Sequence, residues 1–226
     1  MIRMRTIALA GAATLAAGCS VLPEPPPAAR IYPLRAAVET GAVMRPQAAR
    51  VVSVAPPVMA AALSGAEIVW IKDGAIGFME RGVWPARAPD ALQGLLMETL
   101  DRRGQVAAVV RAGDGARVDA EVRWSVEDFQ IVEDAAGLNA RFGADINLME
   151  SRSRRILAST RIDIAEPVAQ RTAPQAAAAL ARAGQRGAVE IANWTAAQAS
   201  KLPANAPAPA AAAAVAMPAQ NQPLPR

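Results

Sequence analysis

From Val118 to Ile164 apolar side chains fall on alternate positions. Val118, Ala120, Val122, Trp124 and Val126 alternate with Asp119, Glu121, Arg123, Ser125 and Glu127, the period of a strand with one buried face. At Asp128 the phase slips, because Phe129 and Ile131 now hold the apolar positions. One extra residue there, a β-bulge, restores the pattern. Leu138, Ala140, Phe142, Ala144, Ile146 and Leu148 alternate after Gly137, and Ile156, Ala158, Thr160, Ile162 and Ile164 make a third run. Consecutive half-buried strands joined by short turns predict an antiparallel meander covered on one face.

Upstream the pattern changes. "RIYPL" and "RVVSVAPP" are short strand-like runs ended by proline. In "EIVWIKDGAIGFM" two apolar runs flank Lys72-Asp73-Gly74, a hairpin signal because Gly accepts positive φ. "APDALQGLLMETLDRRG" reads as a helix. Asp90 and Gln93 are spaced as a capping box, Gly104 follows the last turn, and Leu92, Leu95, Leu96 and Leu100 form one stripe. "QVAAVV" then reads as a buried strand. A last helix starts near Thr172, with Gln175 as a second capping-box partner. Its face of Ala176, Leu180, Ala183, Gly187, Ile191 and Trp194 is mostly small, which permits close approach to a sheet with Trp194 as anchor. Gly184 and Gly187 each cost about 1 kcal/mol in a helix, so close packing is the expected compensation. The expected fold class is α/β in the α+β sense: a mixed, largely antiparallel sheet packed by two main helices.

Composition removes several chemistries. The 226 residues include no histidine and one cysteine, Cys19. A His general base and a His or Cys metal site have no residues to build them. Lys72 and Lys201 are the only lysines, and no Gly-x-Ser-x-Gly elbow occurs, which speaks against a serine hydrolase. The formal charge is +4, reduced to +2 once Arg3 and Arg5 are lost with a signal peptide. Arg152, Arg154 and Arg155 lie between two strand patterns and read as a solvated turn, so no nucleic-acid partner is expected.

Cys19 gains its meaning from what precedes it. Arg3 and Arg5 give a positive start, and Thr6 to Ala17 are apolar but too short to span a bilayer. Leu15-Ala16-Ala17-Gly18-Cys19 resembles a bacterial lipobox; the alternative is an ordinary secretory signal in which Cys19 is incidental. The resemblance implies a mature chain that begins at Cys19 with covalent lipid, and no other cofactor. Ser20, where Asp would imply retention at the inner membrane, implies the periplasmic face of the outer membrane. The expected organisation is a signal peptide over 1–18, a lipidated and proline-rich tether over 19–30, one domain over 31–202, and a disordered Ala/Pro tail over 203–226. As polyproline II at about 3.1 Å per residue, the tether lifts the domain by roughly 30 Å.

The order of these elements resembles the ABC-type transport auxiliary lipoproteins, the PqiC-like family. Tyr32 and Leu34 after the linker, Val51 to Pro57, Ile68 to Ile71 leading into Phe78 and Trp84, the helix from Pro89 to Arg103, and Val118 to Ser200 carry that resemblance. The segment "ALSGAE" before Ile68 departs from it, lacking an Arg-Pro often present there. The family implies a fold similar to the amino-terminal domain of TolB. It also implies a non-enzymatic role at the outer-membrane end of a lipid transporter, with an MCE-domain protein and an ABC permease/ATPase complex as partners and the membrane as anchor.

An independent periplasmic lipid carrier and a structural cell-envelope lipoprotein are the competing readings. Against a carrier, the chain shows no unpatterned apolar surplus beyond its own core to line a cavity. Among single residues, Trp124 and Trp194 read as core. Trp70, Phe78, Arg81 and Trp84 cluster around the hairpin outside the regular core pattern, and exposed aromatics with Arg are typical of docking surfaces. These four are the candidate partner-binding residues.

Overall fold

A computed structural model describes residues 28–36 and 48–202. Cys19, the proline-rich stretch to Pro27 and the tail from Pro203 lie outside the described residues. The elements run in chain order as β1 (Arg30–Ile31), β2 (Ala48–Val54), β3 (Val58–Met59), a 3-10 turn (Ala61–Leu63), β4 (Glu67–Lys72), β5 (Ala75–Val83), α1 (Ala88–Arg103), β6 (Val106–Arg111), β7 (Ala120–Asp134), β8 (Gly137–Glu150), β9 (Ile156–Pro167) and α2 (Ala173–Ala199). The fold is mixed α+β, as the pattern predicts.

β7 organises the sheet. One of its edges pairs antiparallel with β8 from Ala120 opposite Glu150 to Asp134 opposite Gly137, and β8 pairs antiparallel with β9. Its other edge is shared by three parallel strands: β2 beside Ala120–Val122, β3 beside Ser125 and Val126, and β4 beside Ile131–Glu133. β6 lies parallel outside β2, β5 lies antiparallel outside β4, and β1 lies parallel to β5. The bulge falls where the phase slip places it. Val126 pairs with Ala144 and Asp128 with Gly143, so Glu127 is the extra residue that returns Phe129 and Ile131 to the buried face.

Both helices cover one face of the sheet. The Leu stripe of α1 and the small-residue stripe of α2 meet Val52, Val122, Ile131, Phe142 and Ile146 in one core. A Cβ on Gly184 would stand 3.4 Å from Leu95 Cδ2 and 3.6 Å from Phe129 Cε2, so the α2 glycines do compensate by close packing. The opposite face of the meander is polar, with Arg161 donating to both Asp145 and Asp163 at 2.9–3.0 Å.

Four local expectations are corrected. Neither capping box forms. α1 begins at Ala88 with Arg87 as N-cap and no side-chain cap bond. Gln93 is buried, donates to the Val54 carbonyl at 2.9 Å and accepts from Arg111, so its amide joins the helix to the sheet and is unavailable to cap. Thr172 is the N-cap of α2 but also makes no side-chain bond there. β6 is an outer strand with Ala107, Ala108 and Arg111 exposed, because apolar composition does not distinguish a sheet edge from its centre. Trp194 is only half-buried at the margin of the core.

Candidate functional site

The turn at Asp73 (φ 49°) and Gly74 (φ 78°) lets β4 and β5 fold back on each other. Pairing is regular from Lys72 opposite Ala75 to Val69 opposite Phe78, and resumes only at Glu67 opposite Val83. Two steps on β4 therefore match five on β5, and Met79 to Gly82 bulge from the ladder. Arg81 within this bulge has φ 60°, a conformation a branched or bulky residue rarely holds. Gly82 has a separate reason to lack a side chain, since a Cβ there would stand 3.0 Å from Ala173 Cβ and 3.2 Å from Ile68 Cδ1. The start of α2 is thus drawn against the bulge.

Between them lies an open cavity of about 480 Å³, lined by Arg30, Tyr32, Trp70, Phe78, Arg81, Arg171 and the first residues of α2. Trp70 lines it. The indole lies across the cross-strand Gly77, where a Cβ would stand 3.1 Å from Trp70 Cε3. The Arg171 guanidinium stacks over the same ring at 4.4 Å from its centroid, a cation–π contact. Glu133 closes this group, accepting from Lys72 at 2.7 Å and lying 3.6 Å from Arg171. The Lys72 hydrogen bond, aided by the charges of Lys72 and Arg171, holds the Glu133 carboxyl below the usual range against an opposing desolvation effect. Tyr32, on the β1 side, has its hydroxyl buried without a partner among the described residues.

Three of the four candidate residues meet here. Trp70 is partly buried, Phe78 is 57% exposed, and Arg81 is exposed on the bulge, all three lining the cavity. Trp84 is not part of this surface. It is 3% exposed and stacks on Phe129 at 5.3 Å between centroids, so it belongs to the core and is withdrawn as a contact residue. Sequence reasoning missed Arg30, Arg171 and the α2 terminus as site components. A signal for Arg171 exists: a cation just before a helix start runs against the helix dipole, and α2 has no acidic residue in its first turn. The cavity joins guanidinium groups to aromatic faces, a chemistry of recognition by charge and stacking.

No curated protein sequence matches the chain significantly. Among solved structures, a Xanthomonas campestris protein of family DUF330 superposes with a TM-score of 0.68 at 23% identity, covering 75% of this chain and 96% of that one. A second, an uncharacterized protein, has a TM-score of 0.57 at 14% identity, covering 74% and 99%. Likeness at these identities speaks for the fold. Residues 32–192, well over half of the chain, match the family described as ABC-type transport auxiliary lipoprotein component. The chain therefore belongs to the ABC-type transport auxiliary lipoprotein family.

Proposed function

We propose that this protein is the outer-membrane, periplasm-facing lipoprotein of an MCE/ABC-type lipid transporter, held by acyl chains on Cys19 and acting by docking without catalysis. The family match carries the transport role. The docking role is supported by the edge of β5, which is unpaired among the described residues. From Ala75 to Phe78 the strand is paired only on its β4 side among the described residues, because β1 meets it only at Gly82 and Val83. Ile76 and Phe78 on that stretch are 54% and 57% exposed. An exposed aromatic and an exposed aliphatic side chain beside such a strand edge suit an added strand or apolar segment from a partner, with Trp70 and Arg81 at the end of the strip.

Co-expression with a periplasm-spanning MCE protein tests the reading. The full-length lipoprotein should recover the MCE protein, and a folded Phe78→Ser, Ile76→Ser double variant should recover little. Equal recovery by both would reject the β5 edge as the docking surface. Failure of the wild type to recover the MCE protein would reject the MCE assignment.

A further inference from the structure

We propose that the cavity between β1, the β5 bulge and the start of α2 binds the phosphate of an anionic lipid headgroup in the membrane to which the protein is tethered. The proposal rests on lipidation of Cys19 for its geometry, and on the cavity for its chemistry.

Charge is the first argument. The Arg30 and Arg81 side chains make no hydrogen bond or ion pair among the described residues, and Arg171 is only partly engaged by Glu133 and Trp70. Against these three cations the lining offers one carboxylate, Glu80. Guanidinium groups gathered in one concavity repel each other, and a doubly acceptor-rich phosphate relieves this with charge-assisted, forked hydrogen bonds. The α2 terminus adds to the same field. The helix is 27 residues long, has no acidic residue in its first turn and no side-chain cap, and its first residues line the cavity. Arg81 reaches the lining from a left-handed backbone within a bulge, the kind of local strain that accompanies a binding role.

Position selects the source of the phosphate. Phe78 and Met79 line the same cavity, so an apolar wall adjoins the cationic one. A headgroup followed by glycerol and acyl roots matches both walls, whereas free phosphate uses only one. The tether also enters here: Arg30 is eleven residues after Cys19, a span of at most about 40 Å when fully extended. The tether therefore lets the domain swing down to bring the arginine cavity within reach of the headgroups, whose negative surface potential attracts basic groups within about a Debye length.

The test uses the lipidated full-length protein, ¹⁵N-labelled and held in an uncharged detergent, with the four tryptophan indole N–H signals as reporters. Titration with dihexanoyl phosphatidylglycerol should shift the Trp70 signal while leaving those of buried Trp84 and Trp124 in place. Arg30→Gln and Arg81→Gln, both at exposed side chains, should each weaken binding by about tenfold, the loss of one charge-assisted bond. Circular dichroism checks their folding, and weakening of wild-type binding by added salt supports the same conclusion without any substitution. Inorganic phosphate should bind at least about tenfold more weakly than the lipid. Equal affinity for inorganic phosphate, equal affinity for uncharged dihexanoylglycerol, or tighter binding of tetraglutamate would each overturn the headgroup assignment, the last in favour of an acidic protein segment. No shift at Trp70 with any probe would overturn the site. Mass spectrometry of the same sample reports the acyl chains on Cys19, so absence of the anchor is read separately from absence of the site.

Discussion

Gly187 of α2 lies so close over Phe142 of β8 that a Cβ on the glycine would fall 2.5 Å from the ring's Cδ1. The ring is 2% exposed and meets Phe129 edge-on at 6.5 Å. Buried on all sides from solvent, the ring must shift within the core if that Cβ is added. The glycine thus sets how closely the helix approaches the sheet.

Gly187→Ala should consequently destabilise the protein even though alanine is the better helix former. Overpacking a closed core costs about 1–3 kcal/mol, more than the roughly 1 kcal/mol gained from helix propensity. Gly94 in α1 provides the opposite case, because nothing lies within 4 Å of a Cβ placed there. Gly94→Ala should stabilise by about 0.5–1 kcal/mol. Urea unfolding of both variants checks the signs. A stabilised Gly187→Ala would mean that α2 can lift from Phe142 without loss.

Trp84 and Phe78 should separate stability from docking. Trp84→Ala removes a ring stacked on Phe129 in the core and should cost about 3–5 kcal/mol. Phe78→Ala alters an exposed side chain and should change stability by no more than about 0.5 kcal/mol, while weakening partner recovery. Thermal unfolding and co-purification on the same two variants read the two effects. A stability loss at Phe78 as large as that at Trp84 would place Phe78 in the core.

These two residues also show what the sequence makes legible. The meander from Ala120 to Pro167 and its bulge at Glu127 follow from side-chain alternation, which reports directly on one face, but the start of β9 does not: Ile156 is 58% exposed, and a second register shift lies beside it between Leu148 and Met149. The parallel strands β2, β3 and β4 beside β7 do not, because alternation carries no strand direction. Trp84 has no periodic neighbours to reveal its burial; Phe129, its stacking partner, lies 45 residues away. The site is hidden for a related reason. Arg30, Arg81 and Arg171 come from three distant segments, joined by β1–β5 pairing and by the approach of Ala173 to Gly82. The capping boxes mislead in the other direction: Gln93 has the right spacing but a competing tertiary partner in the Val54 carbonyl.

Glu133 should confer a pH-dependent stability. Its carboxyl is held below the usual range by Lys72 first and by Arg171 in addition. A lowered folded value means that the unfolded chain binds the proton more readily, so the contribution is fully present above about pH 4.3, the ordinary glutamate value. It fades as pH falls through the lowered folded value. The melting-temperature gap between wild type and Glu133→Gln should therefore stay constant from pH 8 to pH 5 and narrow toward pH 3. Added salt should shrink the gap, because Lys72 and Arg171 are solvent-exposed. A gap that widened on acidification would contradict the ion-pair account.

Cys19→Ala should abolish acylation without disturbing the domain. The core of the described residues runs from Leu34 to Leu202 and is closed by the sheet and the two helices, and Cys19 lies fifteen residues before its first member. A single acyl chain gives only marginal membrane binding, whereas two or more, at about 0.8 kcal/mol per buried CH₂, hold a protein stably. Intact-mass analysis of membrane-extracted wild type should show a chain starting at Cys19 and heavier than its sequence by a diacylglyceryl group and a further acyl chain. The alanine variant should incorporate no labelled palmitate, and its purified domain should melt within a degree or two of wild type. Palmitate incorporation that persisted in Cys19→Ala would reject this cysteine as the anchor, and with it the tethering that brings the arginine cavity within reach of the headgroups.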